Sequence, residues 1–233
     1  MIKLKKIFST LAALTIAFSL LFTGCSEETK NTAPTIKATE PQYRDKNGIG
    51  YNENSDGSLT ISTFSNGKSD LKIPAEYNGK DVKEIGKSSF KMAKVKSVKI
   101  PEGVTKIDNY AFAFSRSLEK ITIPDSVKEI GTNAFSGCVK LKKIKLPKKL
   151  EYIGMFSFDA TAINKIDIPK TVKKIDEYAF AECLSLKEVT INSKNTEIAK
   201  TAFNRSIHVV ITAPKKSKAI KTAKSENIDY KTK

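Results

Sequence analysis

The amino-acid sequence predicts a solenoid of stacked coils, each about 22–23 residues long. A parallel β-sheet is expected on the concave face, and short helical turns or strands on the other. A Phe recurs every 22 or 23 residues, and a Pro precedes four of these Phe by 11 residues. The Phe and Pro positions are Phe90, Phe112, Phe135, Phe158, Phe180 and Phe203, and Pro101, Pro124, Pro147 and Pro169. An all-β sandwich is the alternative, but agreement of six copies favours the solenoid.

The first half of a coil, shown by "LEKITIP" from residue 118 to 124, is a strand that ends at a proline. Its residues alternate in direction, because successive side chains of a strand point to opposite faces. Leu118, Ile121 and Ile123 are therefore predicted to point inward, and Lys120 and Thr122 outward. The proline that follows has no N–H group and ends the ladder there.

The second half of the coil is predicted to form a second inward run and then a turn. Val127 and Ile130 point inward, and Ala134 and Phe135 enter the core on a short helical or 3₁₀ turn. A turn is predicted at the position before this segment, whose residues tolerate positive φ. The residues at this position are Gly86, Asp108, Gly131, Gly154 and Asp176. Since one coil cannot bury its apolar face alone, the coils are expected to form one domain.

The complete pattern, L-x-x-I-x-I-P-x-x-V-x-x-I-G-x-x-A-F-x-x-C, resembles the BspA-like leucine-rich repeats of bacterial surface proteins. The similarity covers residues 71–214 and implies a leucine-rich repeat solenoid. It also implies a cell-surface interaction protein, usually with a role in adhesion. Asn192 replaces the proline in one coil. The cysteine position is occupied by other residues in four coils, namely Ala93, Ser115, Thr161 and Ser206.

The first 24 residues are predicted to be a lipoprotein signal peptide. Lys3, Lys5 and Lys6 precede an apolar run over residues 7–22, which is short for a membrane-spanning helix of ~20 residues. The following "LFTGCS" resembles a bacterial lipobox, in which Cys25 carries the lipid. Free secretion and an uncleaved membrane anchor are the alternatives. The predicted location is therefore the cell membrane, lipid-anchored, on the side facing away from the cytoplasm.

The remaining chain is predicted to contain four parts: a lipidated Cys and flexible tether at 25–43, an N-terminal β cap and first strand at 44–74, repeat coils at 75–213 and a C-terminal cap at 214–233. The dipeptides Asp56-Gly57 and Asn66-Gly67 predict two hairpins in the N-terminal cap. The C-terminal part is expected to form a last strand, a short basic helix from about Lys215 and a final strand at 228–230.

The charge of the chain favours an anionic partner. The formal net charge is +16, and lysine supplies nearly all of the excess, since Arg44, Arg116 and Arg205 are the only arginines. Nucleic-acid readers depend on arginine for bidentate contacts, so nucleic acid is not an expected partner. An anionic envelope polymer or a membrane surface fits better.

The sequence predicts no enzyme, no cofactor and no metal site. "NENSDG" over residues 52–57 starts like a calcium loop, but Thr63 stands where a bidentate Glu is required, so a hairpin is favoured. His208, the only histidine, is expected to point inward in the terminal coil. Cys138 and Cys183 lie two coils or ~10 Å apart, beyond the ~7 Å that a disulfide spans, and are expected to be separate buried thiols.

The predicted binding surface is the outward side of the concave sheet. Its candidate ligand-binding residues are Lys99, Lys120, Lys143, Lys145 and Lys165. Lys120, Lys143 and Lys165 are expected to form one column with a spacing of ~4.8 Å. The sequence thus predicts a non-catalytic surface lipoprotein that binds a surface protein or an anionic envelope polymer. A structural envelope lipoprotein without a specific ligand, whose lysines reflect composition alone, is the alternative.

Overall fold

The structure, a computed structural model, describes residues 40–65 and 67–233. Residues 40–233 belong to one compact unit. The predicted signal peptide, the lipid-bearing Cys25 and the tether up to Thr39 lie outside the described residues. The first strand already includes Tyr43, which was assigned to the tether.

The described chain contains seventeen strands and one helix. The strands are β1 Tyr43–Arg44, β2 Ile49–Glu53, β3 Leu59–Phe64, β4 Asp70–Lys72, β5 Glu76–Tyr77, β6 Lys80–Ile85, β7 Ser97–Lys99, β8 Lys106–Ile107, β9 Lys120–Thr122, β10 Glu129–Ile130, β11 Tyr152–Ile153, β12 Lys165–Ile168, β13 Lys174–Ile175, β14 Glu188–Ile191, β15 Glu197–Ile198, β16 Val210–Ala213 and β17 Asp229–Thr232. The helix, α1, spans Lys218–Ser225.

Successive coils stack in parallel and build two sheet faces, which confirms the predicted solenoid. The front face consists of two sheets with the strand orders β4-β7-β9 and β12-β14-β16-β17. The rear sheet has the order β1-β2-β3-β6-β8-β10-β11-β13-β15, with β5 paired to β6. Each interior step of the rear sheet aligns equivalent residues, as in the pair Ile130 and Ile153. The apolar side chains of both faces meet in one core.

A continuous stack of phenylalanine rings runs through the core. The six repeat rings lie parallel to within 10°, with centroids of adjacent rings 4.9–5.5 Å apart. Phe64 of the N-terminal cap extends the stack at 5.1 Å from Phe90. These separations lie in the range where offset aromatic pairs attract each other. The predicted internal Phe column is confirmed.

The segment that carries each Phe is a series of overlapping β-turns rather than a helix, three of them in the coil of Phe112. In the coil of Phe112, Ala113 N–H donates to the Tyr110 carbonyl, whereas Tyr110 and Phe112 N–H donate to the next coil. Tyr110 and Phe114 both have positive φ, 60° and 57°. Every second N–H group of this segment, at Tyr110, Phe112 and Phe114, therefore donates to a carbonyl of the neighbouring coil. The prediction of a helical or 3₁₀ turn is wrong for this reason.

The Gly/Asp position does not adopt the predicted positive φ. The left-handed residue lies two positions later, for example at Asn133 rather than Gly131. Glycine is needed at Gly131 because a Cβ there would lie 2.6 Å from Oδ1 and 2.8 Å from N of Asn109. At Gly154 it would lie 2.7 Å from the Gly131 carbonyl carbon. Close approach between coils, not the turn itself, explains the glycines of this column, whereas Asp108 and Asp176 lie where a Cβ is accommodated.

The cysteine position is a column of hydrogen-bond donors. Cys138 Sγ donates to the Phe112 carbonyl at 3.2 Å, and Ser115 Oγ donates to the Phe90 carbonyl at 2.6 Å. Ser206 Oγ makes the same contact with Phe180 at 2.7 Å. Thiol and hydroxyl groups are thus interchangeable at Ser115, Cys138, Cys183 and Ser206, each of which donates to the preceding coil. Thr161 instead donates to the Phe158 carbonyl of its own coil at 2.9 Å. Both cysteines of the described chain, the second of which is Cys183, are buried and free, as predicted.

The N-terminal cap contains one of the two predicted hairpins. β2 and β3 pair antiparallel around Asp56-Gly57, so "NENSDG" forms a hairpin as expected. The second predicted hairpin, at Asn66-Gly67, is wrong, since β4 pairs in parallel with β7 instead of β3. β1 and β2 also pair antiparallel, and a further hairpin joins β5 and β6 through Asn78-Gly79, whose positive φ values of 51° and 72° suit a tight hairpin turn. The Asn-Gly dipeptide was the sequence signal for it.

The C-terminal cap follows the predicted strand–helix–strand order. Helix α1 begins after Ser217, whose side chain accepts a hydrogen bond from Ile220 N–H, and β17 pairs in parallel with β16. The expectation that His208 points inward is wrong. Val209 is buried in its place, while His208 is exposed. The Val209 N–H group donates to the Ser206 carbonyl, as the Leu186 N–H group donates to the Cys183 carbonyl in the preceding coil. β16 begins one residue after Val209, whereas β14 begins two residues after Leu186, so the terminal coil is one residue shorter at this point.

We expect Phe135→Ala to destabilise the protein by about 3–5 kcal/mol, because it leaves a cavity inside the ring stack. The measurement is the free energy of unfolding from urea titration. Phe114→Ala is the matched control, since this ring is 43% exposed and its loss should cost about 1 kcal/mol or less. Equal losses in the two variants would contradict the internal stack.

We expect both Cys138 and Cys183 to resist thiol reagents in the folded protein and to react after unfolding without reductant. Burial raises the pKa of the Cys138 thiol to about 12 and also raises that of Cys183, so little reactive thiolate forms. Titration in a Cys25→Ser background should count no thiols before unfolding and two after it. Recovery of a disulfide between the two residues would show that the coil alignment is mistaken.

Candidate binding surface

The predicted lysines lie on the outward side of the front face, in two columns. Ser97 of β7 is aligned with Lys120 of β9, and Lys99 with Thr122. Lys165 of β12 is aligned with Glu188 of β14. The side chains of Lys99, Lys120, Lys143, Lys145 and Lys165 are all exposed. The repeat spacing places Lys143 between Lys120 and Lys165.

The front face is interrupted at the coil that carries Lys143 and Lys145. Residues 141–147 form no strand between β9 and β12. In the described chain, one main-chain hydrogen bond joins this segment to a neighbouring coil. The Asn164 N–H group donates it to the Lys142 carbonyl, at 3.3 Å. Ile144 is only partly buried, whereas its equivalents Ile121 and Ile166 are buried. The predicted column along one continuous sheet is therefore wrong, because the ladder is open at its centre.

The lysines differ in whether they have a carboxylate partner. Lys165 Nζ lies 2.9 Å from Glu188 Oε2, and this ion pair raises the pKa of Lys165 and lowers that of Glu188. Within the part of the chain that the structure describes, the other four candidate lysines have no carboxylate oxygen within 4.0 Å. Lys72, aligned with Lys99 at the end of β4, is a further cation of this kind that the sequence analysis missed.

A cleft of about 540 Å³ lies next to the interruption. Lys99, Thr122, Lys145 and Leu146 are among its lining residues. Asp125 also lines it, but the Lys148 main chain and side chain hold this carboxylate by hydrogen bond and ion pair, and they lower its pKa. Glu102 lines the cleft as well. The cleft therefore combines two lysines and a hydroxyl group with two carboxylates and several apolar side chains.

The rear sheet has a different electrostatic character, because its outward residues alternate in charge. The aligned positions read Glu84, Lys106, Glu129, Tyr152, Lys174 and Glu197. Lys106 lies 3.2 Å from Asp108 and 3.7 Å from Glu129. Tyr152 donates a 2.6 Å hydrogen bond to Asp176, and burial, followed by this bond, raises the pKa of Tyr152 to about 12. Lys106, Lys174 and Glu197 of this row are thus ion-paired, whereas Glu84 has no ion-pair partner among the described residues. A cleft of about 690 Å³ beside these strands is lined by five lysines, namely Lys128, Lys149, Lys170, Lys173 and Lys174.

The described residues show no cluster of the kind that binds a metal ion. In residues 40–65 and 67–233, no group of three or more His, Cys, Asp and Glu side chains is placed to hold a metal ion. His208 is exposed at the edge of the terminal coil, away from both buried thiols. No helix of the described part is long and apolar enough to cross a membrane. Noncovalent binding is the chemistry that the front face offers.

Comparison with solved structures supports the fold. A leucine-rich repeat protein from Bacteroides ovatus is 34% identical with a TM-score of 0.64, covering 71% of this chain and 45% of that one. A leucine-rich repeat protein of T. pallidum is 20% identical with a TM-score of 0.63, covering 80% of this chain and 97% of that one. The pneumococcal vaccine antigen PcpA is 22% identical with a TM-score of 0.62, over 80% of this chain and 48% of that one.

The chain thus spans less than half the length of the B. ovatus protein, and no curated protein matches it. A family model, the BspA type leucine rich repeat region, matches residues 79–223 in six copies. This match agrees with the aligned coils, the Phe stack and the repeated turns described above. Because it covers more than half of the chain, the protein belongs to the family of BspA-type leucine-rich repeat proteins.

Proposed function

We propose that the protein is a non-catalytic interaction module that binds an anionic envelope polymer through its front face. A lipid on Cys25 anchors it to the cell membrane on the side facing away from the cytoplasm. The observation that supports the binding proposal is the contrast between the two faces. Lys99, Lys120, Lys143 and Lys145 have no carboxylate within 4.0 Å among the described residues, whereas the rear-strand lysines Lys106 and Lys174 are ion-paired.

A linear polyanion fits the spacing of these cations. Coils repeat at ~4.8 Å along the stack, so the row from Lys72 to Lys145 covers roughly 15 Å. Such a row presents successive charges to a chain that lies along the solenoid axis. The repulsion between adjacent ammonium groups, about 0.8 kcal/mol in water at this spacing, is relieved when anionic groups lie between them. A protein partner with a strip of acidic side chains is the competing hypothesis.

We expect the combined variant Lys99→Glu, Lys120→Glu and Lys145→Glu to bind a linear polyanion at least roughly 100-fold more weakly, since each lost contact contributes about 1 kcal/mol at 4 Å in water. The probe is inorganic polyphosphate, and binding is measured by calorimetry between 0.05 and 0.5 M salt. The dependence of affinity on salt should also become weaker, because fewer exposed charges are screened.

The matched control carries the same charge change away from the front sheet, at the exposed residues Lys87, Lys94 and Lys200. It should retain most of the affinity. Equal losses in both variants would show that net charge, not the front face, attracts the polymer. The polymer hypothesis is overturned if the unaltered protein shows no detectable binding of polyphosphate and captures an acidic envelope protein through the same lysines. That result would favour the protein partner.

We expect Cys25→Ser to release the protein from the membrane fraction of the cells that express it. The lipobox-like "LFTGCS" makes Cys25 the acceptor of the lipid, and buried acyl chains contribute ~0.8 kcal/mol per methylene to anchoring. Fractionation followed by detection of the folded domain is the measurement. The lipid anchor is contradicted if the variant, with its leader removed, stays with the membranes as the unaltered protein does.

A further inference from the structure

The front face has a gap between β9 and β12, where residues 141–147 form no strand. The spacing of residues in the sequence does not predict this gap. The segment "LKKIKLP", residues 141–147, keeps the same spacing of apolar residues as "LEKITIP", residues 118–124, which contains β9. Leu141 and Leu146 are buried as in the other coils. The segment therefore occupies its place in the stack but does not join the ladder. Its side chains rather than its length must explain the missing pairing.

Like charges on both sides of the gap oppose regular pairing at one of its two outward positions. Regular pairing would place Lys143 directly between Lys120 and Lys165, and like charges in directly opposite positions destabilise a pair of strands. A like charge on one side alone is tolerated, since Lys72 and Lys99 are directly opposed in the paired ladder of β4 and β7. At the second outward position, Lys145 would lie beside Asp167. In no other front strand of the described chain would a lysine lie directly between two lysines of the neighbouring strands. Ser97, for example, donates to Asp70 in one direction and is aligned with Lys120 in the other. Lys165 turns to Glu188, on the side away from Lys143.

The open ladder leaves main-chain groups available at the centre of the basic face. Thr122 of β9 already accepts a hydrogen bond from Ile100, but the side of β9 that faces residues 141–147 has no ladder partner in the described chain. The same holds for the side of β12 that faces this segment, apart from the bond between Asn164 and Lys142. The cleft that contains Lys99 and Lys145 opens beside this gap.

We propose that the gap between β9 and β12 is a polyanion-binding site, and that an anionic chain bound across Lys120, Lys143 and Lys165 closes the ladder. Anionic groups between these ammonium groups remove the repulsion that opposes pairing. Residues 143–146 then form a strand, Ile144 enters the core, and the two front sheets become one. This inference rests on the proposed function for its ligand, whereas its electrostatic part is independent of any ligand.

The first test replaces the ligand by a charge on the protein. In Lys143→Glu, a carboxylate lies between Lys120 and Lys165, so repulsion becomes attraction across both pairs. We expect amide hydrogen exchange over residues 142–146 to slow by roughly tenfold relative to the unaltered protein, because attraction replaces repulsion in two cross-strand pairs. In the unaltered protein, 1 M salt should slow it as well, since the screening length falls to about 3 Å.

Lys149→Glu is the control, since it makes the same change in the same coil at an exposed position outside the front columns. Its exchange over residues 142–146 should equal that of the unaltered protein. Equal exchange in Lys143→Glu and the unaltered protein would overturn the electrostatic gap. Slower exchange in both variants would overturn it too, because the position of the charge would then be immaterial.

The second test adds inorganic polyphosphate to the unaltered protein at low salt. Exchange over residues 142–146 should slow roughly tenfold, in proportion to occupancy, while exchange in the rear strand Glu129–Ile130 stays constant. If polyphosphate binds and the segment remains unprotected, closure by the ligand is wrong and the proposed function stands. If polyphosphate does not bind while Lys143→Glu still protects the segment, the proposed function fails and the electrostatic gap stands.

Discussion

Hydrogen bonding between the main chains of neighbouring coils is the constraint on which the rest of the structure depends. Each coil is too short to satisfy its own N–H and C=O groups, and buried groups of this kind need partners. The front strands, the rear strands and the alternating N–H groups of the Phe turn all bond to the adjacent coil. Glycine at positions 131 and 154 permits the main chains of neighbouring coils to approach closely. The side chains of the core then pack at the positions that this main-chain spacing sets.

The elements that follow from burial could be predicted from the sequence. An apolar residue repeated every 22 or 23 positions must face the same environment in every coil, so the Phe stack, the two inward runs and the separate thiols were predictable. The Asp-Gly signal placed the first hairpin, and the basic segment near residue 215 placed the helix. In each case one local rule and the packing requirement favoured the same structure.

The remaining features depend on interactions that the spacing of residues does not contain. The turn glycines were misread because a residue that tolerates positive φ also serves where a Cβ would collide with a neighbouring chain. For the binding face, the pattern gave the direction of Lys143 and Lys165, but not the ion pair that Lys165 forms with Glu188. It also did not reveal the open ladder, since residues 141–147 have the same apolar pattern as their paired neighbours.

The end strands of the front face also determine how copies of this protein meet. β4 and β17 are terminal strands of parallel sheets, and each offers an unpaired edge at opposite ends of the stack. A second molecule that continued the ladder in the same register would bring Asp70 against Asp229 and Lys72 against Lys231. Directly opposed like charges disfavour such pairing, and charged edges are a common protection against edge-to-edge aggregation. The charges at the two terminal strands thus disfavour continuation of the front sheet from one copy of the protein into another.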